Sequence, residues 1–426
     1  MFKEKFSLIL SNLLQNKLFK NTWTIFQSFI LRLVIQGFYF VILARTFAPE
    51  KYGAYVGIVA IVSIFIPFAG WGSGEVFIQN VARDRSLFRE YFGATILKTL
   101  LFSSIFTALI LIAYNFFSIP NISIYSVFFV TLANLTFLKF NDIARDAFMA
   151  VGLLNYTAKT IVLMSLNRFV AVLVFIAFFD QPSILTWCIL YCVATFVSGA
   201  ASIYLVIKLV GYPKFNLSRV KQELRLGFAF AVSVSAQNIY NDLDKSMLAK
   251  LSTLEATGIY GAAYHILNVA LTPIQSVALA SFRKFFQHGA SGIKGSFELC
   301  KKLLPLSLAY SLLAVVGLVV LAPLLPIILG SQYQASARAL IWLSPTIFLR
   351  TMHFFAADTL TGANYQSSRT TAQVLVAIIN GLLNFWLIPK YGWLGAIWAT
   401  IASEFLLMVF LWGFVYRYSK QSASNI

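Results

Sequence analysis

The feature that most constrains this chain is a ladder of apolar runs. Twelve stretches of mostly apolar residues follow one another with short connections. They lie near 24–44, 54–78, 91–113, 122–138, 157–179, 184–207, 226–248, 257–281, 304–329, 338–360, 371–388 and 393–416. A helix needs about 20 such residues to cross the hydrocarbon core of a bilayer. A lipid-exposed backbone can satisfy its own polar groups only as a helix or a closed barrel. Runs of this length therefore specify an all-α polytopic membrane protein with about twelve spans. Composition agrees: 11% of the 426 residues are charged and 59% are hydrophobic, where a soluble domain carries about 25% charged residues.

The chain holds 33 Lys and Arg against 15 Asp and Glu, a formal charge of +18. An excess of this kind can mark a nucleic-acid partner, but that needs a solvated basic patch. Here the basic residues mostly punctuate the apolar runs, and no nucleic-acid partner is expected. With the N-terminus inside, 23 fall in inside segments and five in outside segments, namely Arg45, Lys51, Lys250, Arg338 and Lys390. Positive charge is retained on the cytoplasmic side, so both termini are expected there. No cleavable leader is expected at the N-terminus. Residues 1–20 place Phe2, Phe6, Ile9, Leu10, Leu13 and Leu14 on one helical face with lysines elsewhere, the pattern of a helix lying on the inner leaflet. Residues 215–225 (FNLSRVKQELR) suggest a second such segment.

The sequence also repeats itself. Glu50-Lys-Tyr-Gly53-Ala-Tyr55 returns 205 residues later as Glu255-Ala-Thr-Gly258-Ile-Tyr260, and a proline follows each copy, at Pro67 and Pro273. A weaker echo pairs Gly152 and Tyr156 with Gly362 and Tyr365. The expected organisation is two six-helix lobes, residues 1–210 and 211–426, related by an axis along the membrane normal, as is common in transporters.

Three arginines stand near mid-span: Arg32, Arg168 and Arg350. Each costs about 2.5–3.5 kcal/mol at a helix centre, so each must face a partner or a polar cavity. Lys245 sits beside Asp242 and Asp244 in NDLDKSM; Asp358, Glu404 and Glu75 are the other acids within the spans. Two readings follow. The arginines form interhelical ion pairs, for instance with Glu404, or they line a cationic cavity for an anionic substrate, since the planar guanidinium fork binds phosphate through two hydrogen bonds. On the second reading Arg32, Arg168, Arg350 and Lys245 bind substrate, and Asp242, Asp244, Glu404 and Asp358 serve ion coupling or pairing.

Other chemistries are poorly represented. There is no G-x-x-x-x-G-K-[ST] phosphate loop and no nucleophile–base arrangement. Asp242-Leu-Asp244 resembles a glycosyltransferase DxD, yet it lies inside an apolar run. Cys188, Cys192 and Cys300 lack zinc-ligand spacing and read as buried small hydrophobes. His265 reads as a helix-packing residue. No catalytic residue, metal or cofactor is expected.

Three segments resemble the Wzx-type O-antigen and polysaccharide flippases of the multidrug/oligosaccharidyl-lipid/polysaccharide (MOP) superfamily: LARTFAPEKYGAY, NDLDKSMLAKLSTLEATGIYGAAYHI and LNFWLIPKYGWLGAIWATIASE. The resemblance implies two six-helix lobes around a central cavity. It implies transport of a polyprenyl-pyrophosphate-linked oligosaccharide from the inner to the outer leaflet of a bacterial cytoplasmic membrane. Lipid, a proton or sodium ion, and polysaccharide polymerase or assembly proteins would be the partners. A cation-coupled drug antiporter is the alternative transport reading. A polysaccharide polymerase or ligase is the enzymatic one, although the outer connections here are short.

Overall fold

A computed structural model describes the backbone of residues 17–116 and 118–424. The expected interfacial helix at 1–20 lies largely outside those residues. The described chain is helical: α1 (Lys17–Ser63), α2 (Ile66–Ala69), α3 (Ser73–Arg83), α4 (Phe88–Phe116), α5 (Ile124–Leu132), a π-helical turn (Ala133–Phe137), α6 (Leu138–Ala150), α7 (Leu154–Phe178), α8 (Ile184–Leu209), α9 (Leu217–Leu251), α10 (Leu254–Gly289), α11 (Ile293–Leu321), α12 (Leu325–Leu329), α13 (Gln334–Leu343), α14 (Pro345–Gly362), α15 (Gln366–Tyr391) and α16 (Trp393–Ser424). Among the described residues, nine helices are long and apolar enough to span a membrane. A tenth is the pair Ser331–Leu343 and Pro345–Gly362, bent by 41°.

The difference from twelve has physical causes. The first two spans run together as α1, interrupted at Ala48 (φ 57, ψ 171) immediately before Pro49. Proline lacks the N–H that a continuous helix needs, so Pro49 suits the first turn of a new helix rather than the interior of an old one. The second span then breaks again between Ser63 and Ser73, where Pro67 opens α2 and Trp71 and Gly72 both take positive φ. The seventh span is within α9, whose Asp242, Asp244 and Lys245 reduce its hydropathy. Residues from Leu217 onward are the opening turns of α9 rather than a separate surface helix.

Two compact units divide the chain. One comprises 1–46 and 61–238, the other 47–60 and 239–426. Residues 211–238, given to the second lobe by a division at 210, pack with the first unit, and 47–60 pack with the second.

In the first unit, Phe77, Phe88, Phe92, Phe148 and Val206 form a buried aromatic and aliphatic core. Polar pairs tie the helices together. Asn167 on α7 donates to Ser198 on α8 at 2.8 Å, and Ser202 on α8 donates to Asn141 on α6 at 2.9 Å. Such bonds contribute about 0.6 kcal/mol each on average in membranes. Gly199 lets α8 approach the π-helical turn, because a Cβ there would lie 2.5 Å from the Phe137 carbonyl oxygen. Trp71 closes the break after α2. It stacks on Phe102 at 4.0 Å, and its Nε1 donates to the Leu224 carbonyl at 2.8 Å.

The second unit contains both copies of the E-x-x-G-x-Y repeat, and they pack on each other. A Cβ on Gly53 would lie 1.8 Å from the oxygen of Leu254, and a Cβ on Gly258 would lie 1.9 Å from the oxygen of Pro49. Each glycine thus admits the carbonyl four residues before its counterpart. Small residues allow this closeness where lipid supplies no hydrophobic drive between helices. Further along, Ala356, Ala357, Leu360, Val376, Leu407 and Leu411 form the core between α14, α15 and α16. The three cysteines are free and buried, as their sequence context implies.

Candidate functional site

The charged residues of the second unit converge on one buried network. Arg350 and His353 lie three residues apart on α14, the spacing that puts two side chains on one face. Both reach Glu404 on α16. The Arg350 Nε donates to Glu404 Oε1 at 2.6 Å, and the His353 Nε2 stands 2.7 Å from Oε2. Glu404 is 1% exposed, and Arg350 and His353 are buried with it. The remaining Arg350 fork donates through Nη2 to the Tyr264 hydroxyl on α10 at 2.6 Å.

Tyr264 joins this triad to a second cluster. The Lys245 Nζ sits 3.9 Å from the centroid of its ring, a cation–π contact strengthened by burial. Lys245 also donates to Asp242 Oδ1 at 2.6 Å and to the Asn241 carbonyl at 2.7 Å. Asp244 accepts the Lys245 backbone N–H on Oδ1 at 2.7 Å, and the Tyr260 hydroxyl on Oδ2. The Tyr260 hydroxyl lies 3.1 Å from Thr400 Oγ1 on α16. Tyr260 and Tyr264 are one turn apart and stacked, with centroids 5.6 Å apart. Beside this, Asn384 donates to Asn380, which donates to Ser403, in a buried ladder between α15 and α16.

The ion-pair reading thus describes Arg350, paired with Glu404, and Lys245, paired with Asp242. Asp358 lies apart from these, 3.8 Å from Arg369.

The first unit holds the other two arginines. The Arg168 guanidinium lies over the Tyr191 ring, 4.5 Å from its centroid, and the Tyr191 hydroxyl donates to Asn134 Oδ1 at 2.8 Å. Asn134 belongs to the π-helical turn, a local geometry often met at functional sites. Arg32 feels the like charges of Arg168 and Arg145 and the opposite charge of Asp142. Asp142 is itself bridged by Arg145 at 3.0 Å and Lys139 at 3.3 Å. The basic residues are therefore in surplus in this unit, whereas those of the second unit are matched by carboxylates.

Sequence reasoning named the ions of both units but passed over His353, Tyr260, Tyr264, Thr400, Asn134 and Tyr191. Helical spacing offered a partial signal: 350/353 and 260/264 each share a face. Among the described residues, no group of three His, Cys, Asp or Glu is arranged to hold a metal ion.

Such an arrangement, two helical units with ionic networks buried inside membrane-spanning helices, defines a polytopic transporter rather than a channel wall or a scaffold. Comparison with solved structures gives the same fold. A lipid II flippase in an inward closed conformation superposes with a TM-score of 0.75 at 13% identity, covering 93% of this chain and 87% of the other. An inward-facing multidrug-resistance MATE transporter of the MOP superfamily superposes with a TM-score of 0.74 at 14% identity, covering 92% and 99%. The polysaccharide biosynthesis protein family model matches residues 18–282, and the chain belongs to that family, with the MOP fold. A curated relative, the uncharacterized membrane protein MJ1068 of Methanocaldococcus jannaschii, is 26% identical over 276 residues. That match takes in 60% of this chain, which spans about half (52%) of the relative's length.

Proposed function

We propose that the protein is a flippase that carries a polyprenyl-pyrophosphate-linked oligosaccharide from the inner to the outer leaflet of a cytoplasmic membrane. The observation that carries this reading is the surplus of positive charge in the first unit. Arg32 lies in the field of Arg168 and Arg145, with Asp142 as the opposing charge. Two guanidiniums in mutual repulsion inside a membrane protein are stabilised by a multivalent anion, and a pyrophosphate supplies one. Tyr191 holds the Arg168 plane from one face, which orients its fork for bidentate contact with phosphate oxygens. Arg350 and Lys245 are held by carboxylates, and on this reading they tune the cavity rather than grip the head group. The lipid tail stays in the bilayer while the units rock between two states. Both termini lie on the cytoplasmic side, and polymerase or assembly proteins take up the product outside.

The test is translocation of lipid-linked oligosaccharide into the outer leaflet of proteoliposomes by Arg32→Ala and Arg168→Ala at matched protein level. Each is expected to lower the rate at least tenfold, with Arg168→Lys intermediate because it keeps charge and loses the fork. Wild-type rates in both alanine variants overturn the reading. Export of a cationic drug, with no lipid movement, would favour an antiporter instead.

A further inference from the structure

The buried network of the second unit has an unequal charge count. Its fixed cations are Arg350 and Lys245, and its acids are Asp242, Asp244 and Glu404. Both oxygens of Glu404 and both of Asp244 are occupied by donors or by an imidazole nitrogen. Asp242 accepts from Lys245. Carboxylates that accept on all sides are in their ionised form. The network is therefore one positive charge short of neutral, and an uncompensated charge in a low-dielectric interior is costly.

We propose that His353 is the proton-binding site of this network, and that its protonation completes the charge balance and drives the transport cycle. Histidine is the side chain whose ordinary titration spans the physiological range. The geometry also fixes where the proton goes. With Glu404 ionised, the neutral imidazole must carry its hydrogen on Nε2 to donate to Oε2, so the incoming proton binds the Nδ1 lone pair and the imidazolium keeps the Nε2 bond. No other bond is made or broken. A charged imidazole then competes with Arg350 for the single charge of Glu404, which loosens the Arg350 hold. That change is felt on α9, α10, α14 and α16 through Tyr264 and Lys245.

The other titratable and charged groups on the helices around α14 do not replace His353. His265 on α10 lies within the field of Lys245. Tyr260 and Tyr264 are already hydrogen-bonded within the network. Cys300 on α11 is a buried thiol near Asp358, and Asp358 pairs with Arg369 of α15. Arg338 on α13 is exposed.

The chain has three histidines, which makes the test tractable. The full-length protein, labelled with 15N-histidine in lipid nanodiscs, is followed by NMR from about pH 5 to pH 9, the range across which imidazoles change charge. His353→Gln, His265→Gln and His288→Gln assign the signals. One signal, missing in His353→Gln, should pass from the Nε2–H tautomer to the imidazolium, and Glu404→Gln should abolish the tautomer preference. A His353 of constant charge throughout overturns the proposal. The coupling step rests on the flippase reading and is measured separately, in proteoliposomes with an imposed pH gradient. Wild type should respond to the gradient several-fold, and His353→Gln should keep basal exchange without that response. A gradient response that survives His353→Gln, or a rate that follows sodium and ignores pH, overturns the coupling. If wild type moves no lipid-linked oligosaccharide under any condition, the flippase reading fails while the NMR result still decides proton binding.

Discussion

Replacing Glu404 by glutamine keeps the shape of the side chain and removes one charge. Its consequences can be worked from the contacts. Arg350 loses a 2.6 Å charge-assisted bond and keeps the Tyr264 hydroxyl as a neutral acceptor. A buried guanidinium left without its counter-ion destabilises a protein by about 3–5 kcal/mol. Here the estimate sits at the lower end, about 3 kcal/mol, because denatured helices in detergent or lipid find other partners for their polar groups. Removing both ions, as in Arg350→Met with Glu404→Leu, deletes the Coulomb attraction and the desolvation cost together. The double variant should lie within about 1 kcal/mol of wild type, since apolar replacement of a whole buried pair is often neutral or stabilising. The coupling energy from the four proteins should then be at least about 2 kcal/mol. Reversible unfolding in mixed micelles of increasing SDS fraction measures all four. A Glu404→Gln protein within 1 kcal/mol of wild type, or a double variant worse than either single, would refute the argument that Arg350 is held by charge rather than by packing.

Further outcomes can be stated briefly. Gly53→Leu and Gly258→Leu should each sharply reduce folded protein, because the new Cβ would meet a carbonyl oxygen at 1.8 and 1.9 Å. Gly381→Ala, whose Cβ would meet only the end of Leu243 at 3.6 Å, should express normally; fluorescence size-exclusion profiles distinguish them. Tyr191→Phe removes the donor to Asn134 and should cost about 1–2 kcal/mol in the same SDS titration, since it strands a buried acceptor, while leaving the Arg168 stacking contact intact. Two hydrogen bonds from Ser86, the side chain's before the backbone's, hold the Asp84 carboxyl below its ordinary range. The bonded form is thus present above the ordinary carboxylate pKa and is lost as pH falls through the depressed value. Ser86→Ala should move the Asp84 titration upward, which carboxyl-labelled NMR reads directly.

Much of the fold was legible because lipid imposes a simple rule on sequence. All twelve apolar runs fall in helices, and the family resemblance found in LARTFAPEKYGAY, NDLDKSMLAKLSTLEATGIYGAAYHI and LNFWLIPKYGWLGAIWATIASE agrees with the fold. What hydropathy could not show was continuity. Ala48 and Pro49 join two spans with a backbone kink instead of a loop, and the 63–73 segment breaks a span that reads as unbroken. Ion pairing was legible in kind: Glu404 was named as a partner for an arginine, and Arg350, 54 residues away, is that arginine. The bridging tyrosines were not. Tyr264 sits 86 residues from Arg350, and only packing of α10 on α14 brings them together. The same holds for His353, whose spacing from Arg350 was visible but whose acid lies on another helix.

The reciprocal seating of Gly53 and Gly258 has a consequence for how such a chain can change over time. Each glycine is required by a backbone atom of the opposite copy, not by a side chain, so no substitution in one copy can relieve a larger residue in the other. The two motifs, 205 residues apart, are bound to vary as a single locus. Homologous chains should keep both small residues or lose both together, and a chimaera that takes one half from a distant relative should fail or assemble according to whether that half brings its own glycine.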